Sequence, residues 1–472
     1  MYTTKEAARR LDVSERRIRA LIGSGDLKAQ KFGGVWMVDE ESVRARLQRR
    51  CSAGRPKMGE KNAENLVRCT LMSKDRPVVE FTYHRRTGQV ADLKPLDGVS
   101  FAPLGIGARG KEPDKYDLAS WLSARSIPDF RRNVRALLHG SRFASTAELM
   151  LDSWGLSLSD PYWLAPVGCD VQWGSINYYE NGYDQTLGDF MLDVPHAAFP
   201  RTAFPRAASG KAARGMRTPD VTTAGALVKT WMRKDGVDYL VKGGAGAENR
   251  EPYNELLATR LLGRILEPDE YVPYGLVERR GRVYSSCAAM TSLDWELVPA
   301  ADVMTAFSIT EGRDLHRSYL RALSDLGISN AQSAIDKMIV ADYLMANFDR
   351  HVYNFGLLRN TEQLDWFRIA PLFDNGCGFY SRATADELRR PRYFWESHPF
   401  REYPSQQLAL VEDVSWFDAA RLDGFVDEVA EVLEGNSHLS DEFIEGVQRH
   451  TQRQIDAVAD LAAERSGLFA GF

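Results

Sequence analysis

Two acidic side chains and one amide in the last third of the chain have the types and spacing needed for phosphoryl transfer. Asp349 and Asn354 lie five residues apart, and Asp374 follows two residues before Gly376. Phosphoryl transfer requires oxygen ligands for Mg²⁺ and a side chain that accepts or orients the proton of the attacking hydroxyl. We therefore expect Asp349 to be catalytic, and Asn354 and Asp374 to bind the metal. Arg350 is expected to orient the loop, and Gly376 to let the backbone turn.

A lysine earlier in the chain supplies the positive charge that such a reaction needs on the nucleotide phosphates. Two predicted strands are joined by a turn around Gly236, and Lys242 follows the alternating apolar residues of the second strand. Residues 252–261 predict a helix whose Glu255 can pair with Lys242 and hold it in position. A strand lysine followed by a helix glutamate is common by chance, so this pair gains its weight from the later acidic segments.

The elements around the acidic residues are those that would position them. Residues 331–346 predict a largely buried helix that ends just before Asp349, and residues 354–359 and 364–369 predict two strands joined by a short turn. The C-lobe of a kinase has its elements in this same order: a helix, a loop with Asp and Asn, a hairpin, and then Asp-x-Gly. Alternatively, Asp349 caps a helix and Asp374 lies in a surface turn. Their joint order and spacing favour a nucleotide site.

Over residues 70–440 the chain resembles the HipA-like serine/threonine kinases. Besides the motifs above, residues 157–163 and 173–181 are similar to the N-terminal subdomain of one branch of that family. The resemblance implies an α+β fold with two lobes, of which the C-lobe is mostly helical, and it implies ATP and Mg²⁺ as cofactors. It also places the adenine hinge within residues 287–293. Residues 381–404 then correspond to an activation or substrate-binding segment, although their composition is equally typical of a long surface loop.

The same resemblance indicates a phosphate-binding loop ahead of the two strands. Residues 222–226, with Lys229, are similar to the phosphate-loop segment of that family, so Gly225 and Lys229 are expected to bind the nucleotide. Thr222 occupies the place of a serine that is autophosphorylated in the family. This loop departs from the family pattern, because Gly225 is its only glycine and apolar residues follow where polar ones are usual. The departures put autophosphorylation in doubt rather than nucleotide binding.

The first 50 residues have the pattern of a small DNA-binding domain. Thr3 and Glu6 fit a capping box before a short helix, Gly33-Gly34 can form a hairpin turn, and Asp39 can open a third helix. The second helix carries apolar residues at helical spacing, namely Ile18, Leu21 and Ile22. This stretch resembles the excisionase-type, MerR-like winged helix-turn-helix family, which implies DNA binding. The side chains expected to contact DNA are Arg16, Arg17, Arg19, Lys28 and Lys31.

The charge of the chain is uneven. Residues 1–60 carry 14 Lys or Arg against 8 Asp or Glu, whereas the whole chain of 472 residues has a net charge of −5. A basic head on an acidic body suggests a polyanion partner for the head alone. The alternative is a degenerate domain that serves only for protein contact. Because one such small module binds DNA weakly, specific binding is expected to require a dimer or a second protein.

The composition of the chain and its linker residues predict the domain organisation and the cellular compartment. The chain is 44% hydrophobic and 26% charged, which is typical of globular proteins. It has no apolar run long enough to span a bilayer, a polar start unlike a signal peptide, and five separated cysteines without a CxxC pair. We therefore expect a cytoplasmic protein with no membrane partner. The predicted domains are a winged helix-turn-helix (1–50), a basic linker (51–65), a HipA-like N-terminal subdomain (66–215) and a kinase-like catalytic region (216–472).

These features predict an ATP- and Mg²⁺-dependent serine/threonine protein kinase fused to its own DNA-binding head, with a toxin-like or transcription-regulating role. The expected partners are DNA, a protein substrate, and a second copy of the chain or a partner antitoxin. One alternative is a DNA-binding regulator or excisionase-like factor whose pseudokinase domain only senses nucleotide. Another is a lipid or small-molecule kinase, although the acidic body and the absence of a membrane-binding helix argue against a lipid substrate.

Overall fold

The structure is a computed structural model, and it describes residues 2–3, 18, 21–22, 27–32, 35–39, 42, 65–141, 143–194, 217–310, 312 and 314–469. The chain divides into two units, Met1–Asn65 and Leu66–Phe472. The expected linker, 51–65, lies almost wholly outside the described residues, and the expected boundary at 215/216 falls within 195–216, which also lies outside them. These domain limits remain predictions.

The first unit contains a small antiparallel sheet of order β1-β3-β2. Its strands are β1 (Tyr2–Thr3), β2 (Ala29–Phe32) and β3 (Val35–Val38). β2 and β3 pair on either side of residues 33–34, as the predicted hairpin requires. Asp39 Oδ2 accepts a hydrogen bond from the amide of Ser42 at 2.8 Å, which is the geometry of a helix cap. The buried apolar residues of this unit are Ile18, Leu21, Leu27 and Val38.

A four-stranded antiparallel sheet of order β6-β5-β4-β7 begins the second unit. The apolar residues of this sheet share a core with the helices that lie between β6 and β7 in the chain. Leu118 and Leu122 of the first helix belong to this core. Asp114 caps the first of these helices, because its carboxylate accepts a hydrogen bond from the backbone amide of Tyr116 at 2.7 Å. The strands and helices are β4 (Leu66–Ser73), β5 (Arg76–His84), β6 (Val90–Pro95), α1 (Lys115–Arg125), α2 (Val134–Gly140), α3 (Thr146–Asp152) and β7 (Tyr162–Pro166).

A second antiparallel sheet has the order β10-β11-β9-β8. The tight turn that joins β8 to β9 uses positive φ at Asp235 (51°) and Gly236 (80°). Lys229 and Lys242 are direct partners across these strands, so their side chains leave the same face of the sheet. The elements of this region are α4 (Tyr178–Asn181), α5 (Gly188–Met191), β8 (Lys229–Lys234), β9 (Val237–Lys242), α6 (Glu251–Ile265), β10 (Tyr274–Arg279) and β11 (Arg282–Ala288).

The third antiparallel sheet comprises β12 (Trp295–Pro299), β13 (Gly356–Asn360) and β14 (Phe367–Ile369), in that order. The expectation of a strand that starts at residue 364 is wrong, because the turn before it is longer. The amides of Glu362 and Gln363 donate to the side-chain oxygen of Asn360, which keeps these residues in the turn.

Helices enclose the largest apolar core, which lies around the predicted helix 331–346. That helix ends at Met345, and Ala346 then adopts a left-handed φ of 50°. The helices are α7 (Ala300–Ala306), α8 (Leu315–Asp325), α9 (Ala331–Met345), α10 (Ala385–Leu388), α11 (Pro404–Leu408), α12 (Phe425–Glu434) and α13 (Asp441–Phe469). Antiparallel sheets with separate helices confirm the α+β class. Over the described residues, no helix is both long and apolar enough to cross a bilayer.

Candidate active site

A cavity of about 990 Å³ brings together most of the residues expected to act on a nucleotide. Its volume lies in the range of ordinary ligand pockets, about 300–1,000 Å³. It lies at one end of the β8–β11 sheet and is closed on the other side by the loops that follow α9 and β14. The predicted site residues that line it are Gly225, Lys229, Lys242, Asp349, Asn354 and Asp374.

Lys242 forms the centre of the charge arrangement in this cavity. Its Nζ lies 2.5 Å from Glu255 Oε1 and 2.6 Å from Asp374 Oδ1, and its side chain is almost fully buried. Burial lowers the pKa of Lys242, but Asp374 and Glu255 outweigh it and hold the pKa well above its usual range. The expected Lys242–Glu255 pair is therefore present in the geometry, with Asp374 as a second partner.

The carboxylate of Asp374 is ionised in this setting. Burial alone would raise its pKa, but the neighbouring Lys242 and Lys229 hold the pKa of Asp374 well below its usual range. Burial has the larger effect on Glu255 and raises its pKa. A permanently charged, partly exposed carboxylate is the type of ligand that Mg²⁺ uses.

The loop after α9 holds Asp349 and Asn354 in fixed relation. The side-chain amide of Asn354 donates to the backbone oxygen of Asp349 at 2.9 Å. The amide of Asp349 donates to Asn347 Oδ1 at 3.1 Å, and Asn347 Nδ2 donates to Asp342 at 2.9 Å. Because the amide nitrogen of Asn354 is used in this bond, its side-chain oxygen is the atom available to a cation.

Arg350 joins this loop to the segment that carries Asp374. Its side chain is fully buried and paired with Asp342 at 2.8 Å. It also donates to the backbone oxygens of Asn354 and Phe373, at 2.8 and 2.7 Å, and to Asn375 Oδ1 at 2.5 Å. One guanidinium thus fixes both ends of the proposed metal site, which is the orienting role expected for Arg350.

The expected backbone turn at Gly376 falls at another residue. The left-handed residue is Asp374, with φ of 57°, and Gly376 is not among those with positive φ. Gly376 packs closely instead: a Cβ there would lie 3.2 Å from both the Cβ and the backbone oxygen of Glu251. Asn254 holds the same segment by donating to the Gly376 oxygen at 3.0 Å. A non-glycine residue in this conformation is strained and is held by its surroundings.

The predicted phosphate loop reaches the cavity through Gly225 and Lys229. Gly225 has φ of 94°, a backbone conformation that favours glycine, and a Cβ there would lie 2.6 Å from Lys229 Nζ and displace it. Lys229 is buried, and this burial lowers its pKa to about 7 against the attraction of Asp374. Its ammonium lies among positive groups, Arg131 and Lys242, as well as Asp374.

The hydroxyl of Thr222, the residue expected to be autophosphorylated, is buried in this structure. Its side chain is 5% exposed, and its hydroxyl donates to the backbone oxygen of Leu156 at 2.6 Å. Thr222 is not among the residues that line the cavity, although Thr223 and Ala224 are. Its hydroxyl is turned into the protein interior, and autophosphorylation of Thr222 stays a prediction that requires the loop to move.

Several cavity residues were not found from the sequence. Tyr274 is one of them: its hydroxyl lies 3.4 Å from the amide of Asp374, and Lys242 Nζ lies 4.9 Å from its ring centroid. Cys377 Sγ lies 3.7 Å from Asp349 Oδ2. Two further apolar residues of the cavity, Leu240 and Val272, lie outside the expected hinge. No sequence signal marks Tyr274, but Cys377 could have been found because it lies three residues after Asp374.

The expected hinge and activation segments both contact the cavity. Residues 287–291 of the expected hinge line it, and their apolar surroundings suit a purine ring. Ser381 and Arg382 line its mouth, and the Arg382 guanidinium lies 4.0 Å from the ring centroid of Phe348. The beginning of the arginine-rich segment is therefore part of the site, whereas Arg390 and Arg392 are exposed.

The described residues offer a cation few ligands. They contain no group of three or more His, Cys, Asp or Glu side chains that could hold a metal ion. Asn354 and Asp374 provide one amide and one carboxylate oxygen. This set fits Mg²⁺ bound with a nucleotide, because Mg²⁺ usually takes one or two protein oxygens and completes its shell with phosphates and water.

The residues expected to contact DNA are only partly described. Lys28 is exposed, and Lys31 lies in strand β2. Arg16, Arg17 and Arg19 lie outside the described residues, as does Glu6 of the expected capping box. The expected cap residue, Thr3, lies in strand β1 opposite Met37.

Comparison with known proteins agrees with the resemblance of the first 50 residues. A family model described as a helix-turn-helix domain matches residues 1–51, which confirms the predicted helix-turn-helix head. No curated protein matches the chain. Similar solved structures include the proinflammatory kinase CtkA of Helicobacter pylori, at 18% identity and a TM-score of 0.39, covering 50% of this chain and 95% of that one.

A second similar structure is the Shewanella oneidensis MR-1 toxin–antitoxin complex of HipA, HipB and operator DNA. The match has 13% identity and a TM-score of 0.45, and it covers 84% of this chain and 99% of the matched one. Because both identities are low, we base the function on the residues of the site.

Proposed function

We propose that this protein is an ATP- and Mg²⁺-dependent serine/threonine protein kinase that carries its own DNA-binding head. The observation that carries the proposal is the double pairing of Lys242 with Glu255 and Asp374 inside the cavity that Asp349 and Asn354 also line. A phosphate-binding lysine held by a helix glutamate, beside a metal-binding carboxylate, is the arrangement that phosphoryl transfer from ATP requires.

Each residue has a task in this proposal. Lys242 would bind the nucleotide phosphates, and Asp374 and Asn354 would hold Mg²⁺, which would supply positive charge beside the phosphates. Asp349 orients the substrate hydroxyl and receives its proton. The fixed Asn354–Asp349 hydrogen bond keeps the metal site and the base in register, so that little reorganisation is needed during the reaction.

Phosphorylation is tested with the purified full chain, Mg²⁺ and γ-labelled ATP, with a bacterial lysate as the source of protein substrates. We expect label in a protein that disappears in Asp349→Asn, whereas Asp365→Asn, an exposed aspartate on the β13–β14 turn, retains it. Removal of Mg²⁺ with EDTA should also abolish labelling. Labelling that survives Asp349→Asn would refute the assigned site.

A nucleotide-sensing pseudokinase is the second candidate, and the buried hydroxyl of Thr222 favours it. It predicts ATP binding by calorimetry without transfer to any protein. A third candidate, a lipid or small-molecule kinase, predicts transfer to isolated phosphoinositides or metabolites but to no protein. The same labelling experiment, run with these substrates, therefore separates the three.

The head is proposed to bind DNA in the cytoplasm, with a second copy of the chain or an antitoxin-like partner. The helix-turn-helix match and the net positive charge of residues 1–60 support this. Footprinting on the promoter of its own gene is the test. Arg16→Ala/Arg17→Ala should abolish protection, and protection unchanged in that variant would place the contacts elsewhere.

A further inference from the structure

Arg131, between α1 and α2, is a buried arginine bonded to the phosphate loop. It is 2% exposed. Its Nε donates to the backbone oxygen of Gly225 at 2.9 Å, and its Nη2 donates to the backbone oxygen of Thr223. The remaining nitrogen, Nη1, is buried and has no hydrogen-bond partner among the described residues.

This guanidinium also lacks a direct counter-ion. Within the described part of the chain no carboxylate forms an ion pair with Arg131, and the nearby Asp220 is occupied by the hydroxyl of Thr230 and the amide of Trp231, at 2.9 and 2.8 Å. Burial lowers the pKa of Arg131 to about 10, and Asp220 only partly offsets this. A buried charge without a partner is costly, and an anion bound nearby would reduce that cost.

The bonds of Arg131 determine which way the loop presents its polar atoms. Both acceptors are carbonyl oxygens, so the oxygens of Thr223 and Gly225 face the arginine. Over the described residues, no backbone amide from Ala224 to Leu227 donates a hydrogen bond. Consecutive amides without partners beside a residue with positive φ, here Gly225, are the type of backbone that binds anions.

We propose that Arg131 is the positioning residue of the phosphate loop: it holds the loop carbonyls so that the loop amides bind the phosphates of ATP, whose charge balances its own. This inference rests on the proposed nucleotide site and assigns the phosphate specificity of that site to a residue of the N-terminal subdomain. Neighbouring Phe130 lines the cavity and is 73% exposed, so the same segment also reaches the mouth of the site.

The test measures binding of Mg-ATP and of adenosine to the full chain by calorimetry. In Arg131→Met we expect ATP to bind about 10-fold to 100-fold more weakly, as for a lost charged hydrogen bond, and adenosine to bind within about twofold of wild type. The ATP affinity of Arg131→Lys should lie between that of wild type and that of Arg131→Met. The matched control is Arg132→Met, an exposed neighbour that pairs with Asp193 at 2.8 Å, and it should leave both affinities unchanged.

The outcomes separate this inference from the proposed function. Equal weakening of ATP and adenosine in Arg131→Met would show a structural role only and overturn the inference, as would unchanged ATP binding. Adenosine binding reports whether each variant is folded, so loss of the fold cannot imitate the expected result. Wild-type protein that binds neither ligand would instead overturn the nucleotide site itself, and the inference with it.

Discussion

Lys229 and Lys242 are cross-strand neighbours in one cavity, but their surroundings give them different charge states. Lys242 contacts two carboxylates and stays protonated at any physiological pH. Lys229 is buried and forms no ion pair with a carboxylate of the described residues, and its burial lowers its pKa from 10.5 to about 7. Lys229 therefore titrates near neutrality, whereas Lys242 does not.

The pH dependence of ATP binding should report Lys229. Its protonated form, present below about pH 7, attracts the phosphates, and the neutral form above does not. ATP affinity, measured by calorimetry without Mg²⁺, should therefore fall from about pH 7 to about pH 9, by at most about tenfold per pH unit. In Lys229→Met the affinity at neutral pH should be lower and this slope should be absent. An identical slope in the variant would contradict the assignment.

At the scale of elements, Arg350 joins α9, the Asp349 loop and the Asp374 segment. Its partners include Asp342 at the end of α9 and the backbone oxygen of Phe373. The sequence predicted this orienting role because Arg350 is next to Asp349, but it could not identify the partners. They belong to segments whose approach depends on how the third sheet packs on α9.

Arg350→Met should lower the free energy of unfolding by about 3–5 kcal/mol, because it leaves the carboxylate of Asp342 buried without its partner. The measurement is urea denaturation followed by circular dichroism. Arg368→Met is the matched control: Arg368 is exposed on β14 and lies 4.3 Å from the Trp295 ring centroid, so its loss should cost about 1 kcal/mol or less. Equal losses for the two variants would show that Arg350 is not the structural link.

The β12–β13 pairing depends on a glycine. A Cβ at Gly356 would lie 2.2 Å from the backbone oxygen of Val298, whereas a Cβ at Gly275 in β10 meets nothing within 4 Å. Gly356→Ala should therefore destabilise the protein by about 3 kcal/mol, since neither backbone can move easily. Gly275→Ala should change stability by about 0.5 kcal/mol at most. Thermal unfolding of both variants tests this, and a tolerated Gly356→Ala would refute the packing.

At the scale of the whole molecule, the second unit is tied together by buried charges. Arg359 on β13 pairs with Glu296 on β12 at 2.5 Å and donates to the hydroxyl of Tyr162 on β7 at 2.7 Å. Burial raises the pKa of Glu296, and Arg359 opposes this. The first and third sheets therefore share a polar contact, through which the N-terminal subdomain is anchored to the region that carries the site.

All described cavity residues belong to Leu66–Phe472, which has its own core. Deletion of residues 1–65 should therefore leave ATP affinity within about twofold of the full chain and abolish protection of promoter DNA. Calorimetry and footprinting on the same preparations test this. A truncated protein that loses ATP binding while its circular dichroism is unchanged would show that the head completes the site.

The features that the sequence predicts correctly depend on neighbours along the chain: the hairpin turn at Gly236, the pairing of β2 with β3, the buried periodicity of α9, and the helix-turn-helix head. These follow from local backbone preferences and hydrophobic period, which a short segment encodes completely. The sequence predicts less well at which residues a strand begins and ends. Hydrogen bonds to side chains such as that of Asn360 shift these positions.

Which distant residues meet depends on the packing of the whole chain. Lys242 and Asp374 are 132 residues apart in the chain, and Arg131 and Gly225 are 94 apart, yet each pair is hydrogen-bonded. This packing also turned the Thr222 hydroxyl into the interior and placed the left-handed backbone at Asp374 instead of Gly376. Such contacts depend on how sheets and helices pack, and packing is a property of the whole core that no local pattern contains.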